Sequence, residues 1–241
     1  MKDQNILKKR KSFLLITLLL FTTLLSFKIF KKVNIEDISI YGSEFFSKDD
    51  IAANSSLKFP TPLILIKTKY AEKELKKNLS LENVSVFRQI LPFGLKILIK
   101  TRTPIAYGEK IINEKNITGF VDEDGFFIKE KYSDKKFLKK ISSKVFGWNE
   151  KFRERLSKIL NFQKDNEVEF VSINFSSNGF LTLEEKSLKT ILLGFNPTII
   201  ESQLQVITVI KKQINENNFL EKIDNIDITD PKNPKIKVFK P

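Results

Sequence analysis

The run Asn83-Val-Ser-Val-Phe-Arg-Gln-Ile-Leu-Pro-Phe-Gly-Leu-Lys-Ile-Leu-Ile-Lys100 decides the first domain. Val84 and Val86 alternate into a strand that extends to Gln89, and Leu91-Pro-Phe-Gly94 has the composition of a turn. Leu95, Ile97 and Ile99 then alternate with Lys96, Leu98 and Lys100. Two alternating runs around a Pro/Gly turn predict an antiparallel hairpin with one apolar face, which needs something to cover it.

The cover lies upstream. Thr68 is a plausible N-cap for a helix in which Ala71, Leu75 and Leu79 fall four apart on one stripe, with Lys73, Lys76 and Lys77 outside. Phe59-Pro-Thr-Pro62 interrupts the chain before it, and Leu63 to Ile66 is a brief apolar run. Ser47-Lys-Asp-Asp50 fits a capping box ahead of Ile51 and Ala52, predicting a short first helix. Ile38 and Ile40 alternate with Ser39 and Tyr41 until Gly42 stops the run, which predicts a strand. The order over residues 35–104 is therefore β-α-α-β-β, with both helices on one face of a three-stranded sheet.

Ahead of this unit, Ser12 to Phe27 carries no charge. Lys28 can snorkel, so the apolar span runs from Ser12 to Phe30 and roughly crosses a hydrocarbon core of about 30 Å. Residues 12–30 are expected to be a single transmembrane helix. A cleaved signal peptide is the rival, but the run is long and no Ala-x-Ala-like pair follows it. Residues 1–11 hold Lys2, Lys8, Lys9, Arg10 and Lys11 against Asp3, which favours a cytoplasmic tail and an extracytoplasmic remainder.

Residues 105–241 read as a second, mixed α+β domain. Phe120-Val-Asp-Glu-Asp-Gly-Phe-Phe127 is a hairpin turning at Asp124-Gly125. Asp122 and Asp124 are better read as an Asx-type turn than as a metal or acid pair, because Phe126, Phe127 and Ile128 follow where further oxygen ligands would be needed. Phe137 to Gly147 reads as a basic-apolar connector. Asn149 can cap a helix with Phe152, Leu156 and Ile159 or Leu160 as its stripe. Val168–Phe175 and Phe180–Leu183 pair across Asn178-Gly179, and Thr190–Leu193 is another short strand. After Pro197-Thr198, Ile200, Leu204, Ile207, Ile210 and Ile214 mark an amphipathic helix. Two last strands follow. Ile226 and Ile228 share a face in one, and Ile236 and Val238 share a face in the other.

Composition narrows the function. The chain has 29% charged and 41% hydrophobic residues, which is globular rather than disordered. It contains no histidine and no cysteine, which excludes disulfides, imidazole or thiolate catalysis and His- or Cys-ligated zinc. No cofactor is expected. The net charge of +13 suits a Lys-rich proteome, or weak contact with anionic wall polymer or lipid. Nucleic acid is not expected, because the basic residues are interspersed with acids and lie outside the cytoplasm.

A basic tail, one membrane helix and a β-α-α-β-β unit resemble the FtsQ/DivIB bacterial cell-division proteins, whose first domain is a POTRA domain. The likeness is carried by Ile38-Ser-Ile-Tyr-Gly42, Ser47-Lys-Asp-Asp-Ile51, Asn83 to Pro92, and Leu95 to Ala106. The last of these ends in Thr101-Arg-Thr-Pro-Ile-Ala106, with Thr101 where the family usually has Glu. Val121-Asp-Glu-Asp-Gly125, Leu192-Leu-Gly194 and Ile226-Asp-Ile-Thr-Asp-Pro231 resemble family motifs of the β domain, although Thr229 stands where a basic residue is usual. The resemblance implies a non-enzymatic bitopic scaffold of the inner membrane at the division septum. It implies coiled-coil partners of the FtsB and FtsL kind, which add a strand beside the C-terminal strands. The partner-binding residues so implied are Ile226, Asp227, Ile228, Ile236, Lys237, Val238 and Phe239.

Two alternatives stand beside this. One is a POTRA-containing envelope chaperone or secretion and assembly factor, guiding clients by the same strand addition. The other is a membrane-anchored wall enzyme working through Glu184-Glu185 or Asp122 and Asp124, both of which read as turn-like or solvated.

Overall fold

The computed structural model describes residues 2–112, 114–133, 141–166, 168–217 and 223–238. The chain divides into two compact units, Met1–Thr101 and Arg102–Pro241.

The first unit begins with helix α1 (Lys2–Phe30), whose segment Phe13–Phe30 is long and apolar enough to cross a membrane. Strands β1 (Lys32–Val33) and β2 (Ile38–Tyr41) follow, then helix α2 (Lys48–Ala53), strand β3 (Thr61–Pro62), helix α3 (Thr68–Asn78), and strands β4 (Asn83–Gln89) and β5 (Gly94–Lys100). Ser47 closes the expected capping box with Asp50. The second cap differs from expectation. Lys67 holds the N-cap without a side-chain bond, and Thr68 is the first helical residue.

The sheet order is β2-β5-β4, with β4 antiparallel and β2 parallel to the central β5. Ile38, Leu95 and Ile97 on the sheet are buried together with Ile51, Leu63 and Leu75. Gly42 ends β2 at a φ of +90°, and a Cβ there would lie 2.2 Å from the Ile99 carbonyl oxygen, so only glycine lets the chain turn so close to β5. The small β1–β3 pair was not legible in sequence, being two residues on each side with Pro62 in one of them.

The second unit is built on one nine-stranded sheet. Its elements are β6 (Ala106–Ile112), β7 (Lys115–Val121), β8 (Phe127–Lys129), β9 (Lys144–Phe146), α4 (Arg153–Asp165), β10 (Phe170–Phe175), β11 (Leu181–Glu185), β12 (Lys189–Gly194), α5 (Ile200–Asn217), β13 (Ile223–Asp227) and β14 (Lys235–Val238). The strand order is β14-β13-β12-β11-β10-β9-β6-β7-β8. Helix α4 connects the parallel neighbours β9 and β10, and α5 connects the parallel neighbours β12 and β13. Such crossovers lay a helix over a sheet face. Leu156, Ile159, Ile200, Leu204 and Ile207 accordingly share one core with Ile173, Leu183, Ile191 and Ile226.

Two strands correct the sequence reading. Residues 144–146 were read as part of a connector, yet they form β9, a central strand between β6 and β10; residues 137–140 lie outside the described residues. Strand β6 was also missed. There Gly108 pairs with Gly119 of β7, and the Phe127 ring fills the space a Cβ on either would take.

Candidate interaction surface

Strand β14 is an end strand of the large sheet. It pairs only with β13 among the described residues, so its outer edge presents backbone N–H and C=O groups to solvent. All four of its residues are exposed, including Ile236 at 48% and Val238 at 52%. Ile236 stands opposite Ile226 and Val238 opposite Ile223, so both lie on the face that carries the core. Lys237 pairs with Asp224 at 3.3 Å.

Behind this edge, β13 buries Ile223 and Ile226, while Asp224, Asn225 and Asp227 are partly exposed. Ile226 and Ile228 are fully enclosed, so they support the edge from within. Asp227 accepts the Thr229 N–H at 2.9 Å and its hydroxyl at 2.7 Å, which holds the Asp227 carboxyl below its ordinary range. Asp230 accepts from the Lys232 N–H and the Asn233 amide. Together these Asx-type bonds set the turn that delivers β14. Phe239 lies outside the described residues.

Three buried polar side chains fasten the strand ends; sequence reading missed Gln203 and Arg155 and took Glu185 for a turn-like or solvated residue. Gln203 of α5 is fully buried, and its Nε2 donates to the Leu193 carbonyl at 2.7 Å and the Ile228 carbonyl at 2.8 Å. Arg155 of α4 donates to the Gly194 carbonyl at 2.8 Å and to those of Gly179 and Phe195 at 3.4 Å. Glu185 is buried, not solvated as expected. Its Oε2 accepts the Ser187 and Leu188 N–H groups, and its Oε1 receives the Lys211 ammonium at 2.8 Å. Burial alone would raise its carboxyl, but Lys211, Ser187 and Leu188 together hold it below the ordinary value. A signal was present for Gln203. It sits on the apolar stripe, three residues after Ile200 and four before Ile207.

Asp122 also has a structural post. Its Oδ1 accepts the Phe126 N–H at 2.7 Å and its Oδ2 pairs with the buried Arg102 guanidinium. Burial pushes the Asp122 carboxyl up despite Arg102. Asp124 is mostly exposed and 3.3 Å from the same guanidinium. Among the described residues no cluster of three metal-ligating side chains forms. A half-open cavity of about 470 Å³ lies over β6, β7 and β9, with Tyr107, Glu109 and Lys144 as the ionisable groups of its lining.

The first unit thus carries a three-stranded sheet backed by two helices directly after a membrane-length helix, the arrangement of a POTRA domain behind an anchor. Residues 33–102 match the family model described as POTRA domain, FtsQ-type. The match covers 70 of the chain's 241 residues, 33–101 in the first unit and Arg102 at the start of the second, and supports a first unit of the kind found in FtsQ-type cell-division proteins. One apolar N-terminal helix fits a single-pass inner-membrane protein. No curated protein matches the chain.

Proposed function

We propose that this chain is a non-enzymatic bitopic scaffold of the bacterial division machinery, whose second unit captures an extended partner segment on the outer edge of β14. The observation that carries the reading is that edge: four exposed residues, an open row of backbone groups, and Ile236 and Val238 half-exposed on a rigidly backed strand. Strand addition draws affinity from the main-chain bonds and specificity from alternate side chains. Ile236, Lys237, Val238 and Phe239 would meet the partner, with Ile226, Asp227 and Ile228 holding the strand in place. The partners proposed are coiled-coil division proteins of the FtsB and FtsL kind. In this reading residues 1–11 are cytoplasmic, residues 35–104 bring the protein to the septum and residues 105–241 bind partners.

The test joins a Val238→Asp, Phe239→Glu variant to a fluorescent fusion at the N-terminus in dividing cells. The expected result is a midcell band for the parent, and loss of co-purifying coiled-coil partners for a variant that unfolds at the parent's temperature. A folded variant that keeps full partner binding would overturn the assignment of the edge. A uniform envelope signal from an intact fusion would overturn the division role and favour the envelope chaperone reading.

A further inference from the structure

The chain leaves the apolar span at Phe30, and the very next residue is already built into the folded unit. The Lys31 carbonyl accepts the Leu63 N–H at 3.1 Å. Lys32 and Val33 pair with Pro62 and Thr61, and the Lys31 ammonium lies 4.6 Å from the centre of the Phe93 ring. Consecutive Cα atoms are about 3.8 Å apart, and a headgroup layer is on the order of 5–8 Å deep on each side. A backbone group bonded to Lys31 must therefore lie in or at that layer.

The turn so placed is apolar on both sides. Leu63 and Ile66 point into the core, while Ile64 is 43% exposed and Leu65 is 65% exposed. The turn is held rigidly, because Arg88 donates through Nη2 to the Ile66 carbonyl at 2.5 Å. Leu91, two residues before Phe93, is 78% exposed. No acidic residue occurs between Asp50 and Glu72, whereas Lys58 and Lys67 flank the turn and are exposed. Of the acids nearest the span, Asp37 accepts the Asn34 N–H, and Glu36 is exposed one residue before it on the same short turn of 3₁₀ helix.

The geometry points to a second membrane contact: Ile64, Leu65 and Leu91, ringed by Lys31, Lys58 and Lys67, rest in the headgroup layer of the anionic bilayer that holds α1. The apolar tips take the acyl boundary and the ammonium groups take lipid phosphates. The first unit is then docked on the membrane and not tethered loosely above it. This rests on the reading of α1 as a membrane anchor.

The chain has no cysteine, so a single introduced one is a unique label site. Leu65→Cys, Leu91→Cys, Leu19→Cys and Asn83→Cys variants of the full chain would be labelled with an environment-sensitive fluorophore in detergent. They would then be reconstituted into vesicles of phosphatidylcholine with or without phosphatidylglycerol, carrying spin-labelled lipid quenchers at shallow or deep positions. Asn83 is the distant control, at the far end of the β4–β5 pair, about 20 Å along the strands from Gly94.

The expected result is strong quenching at 19 by the deep quencher. At 65 and 91, a blue shift and quenching by the shallow quencher are expected, weaker without phosphatidylglycerol, while 83 is unaffected. Quenching at 19 with 65 and 91 behaving like 83 would overturn the contact and leave the anchor intact. No quenching at 19 would overturn the anchor and the contact with it. Quenching at 65 and 91 that is indifferent to phosphatidylglycerol would overturn the role given to the lysines.

Discussion

Replacing Arg102 by methionine should loosen the second unit by about 3–4 kcal/mol at neutral pH. The Arg102 guanidinium meets the Asp122 carboxylate, with both side chains almost wholly buried, and it lies 3.6 Å over the Phe126 ring. Breaking one side of a buried pair typically costs about 3–5 kcal/mol, because the remaining charge loses its partner. Loss of the ring contact adds about 1 kcal/mol. Against this, Arg102 Nε is buried without a hydrogen-bond partner, and removing it returns about 1–2 kcal/mol of desolvation.

The assay is intrinsic. Trp148 is the only tryptophan, and its Nε1 donates at 2.8 Å to the Gly125 carbonyl, in the turn that Asp122 organises. Urea unfolding followed by Trp148 emission therefore reads this corner directly. The pH dependence gives the sign. Asp122 has a carboxyl raised by burial even with Arg102 present, and without Arg102 it rises further. A raised folded value favours the neutral acid in the fold. The deficit of Arg102→Met should therefore be largest above that raised value and shrink as pH falls through it. An Arg102→Met, Asp122→Asn pair should recover much of the loss at neutral pH. A loss under about 0.5 kcal/mol that does not vary with pH, or strictly additive single changes, would refute the reasoning.

Two further outcomes concern the clamps behind β14. Gln203→Leu removes two hydrogen bonds to buried carbonyls and also removes the unpartnered Gln203 Oε1, so a net loss of about 1–3 kcal/mol is expected; hydrogen exchange should show it first as faster exchange at the Ile228 amide, which bonds the Leu192 carbonyl. Glu185 has a lowered carboxyl, so its contribution is present above the ordinary glutamate value and is lost as pH falls through its own depressed one. Acid titration should then show Glu185→Gln less stable than the parent at pH 7, with the two curves converging at low pH.

The parts of the fold legible in sequence are those whose alternation or stripe is complete within one segment. Val84, Val86, Leu95, Ile97 and Ile99 give both strands of the first hairpin, and Ile200 to Ile214 give α5. Strand β6 was hidden because Gly108, Glu109 and Lys110 interrupt any apolar alternation, and its place depends on a ring from another strand. Strand β9 is three residues long and takes its identity from two parallel neighbours distant in sequence. The edge at β14 was partly legible. The alternation of Ile236 and Val238 marks a strand, but only the sheet order shows that it is an end strand and that Ile226 and Ile228 stand behind it.

That placement bears on how such an edge stays available. An exposed strand edge invites pairing with another copy of itself, and lysine is a common means of preventing that. Strand β14 carries Lys235 and Lys237 opposite Asp227 and Asn225 of β13, so its inner side is matched to an acidic strand. An antiparallel self-pair of two β14 strands would set lysines against lysines on one face, and like charges across a strand pair are unfavourable. An acidic partner strand would meet no such cost. Because Gln203, Arg155 and the Asp227 turn already fix the hairpin and strand ends behind it, docking would need little ordering on this side of the interface. The same lysines that discourage self-association would then help choose the partner, so exchanging Lys235 and Lys237 for glutamine, which removes their charge without setting carboxylates against Asp224 and Asp227, should weaken capture of an acidic segment while the buried Ile226 keeps its place.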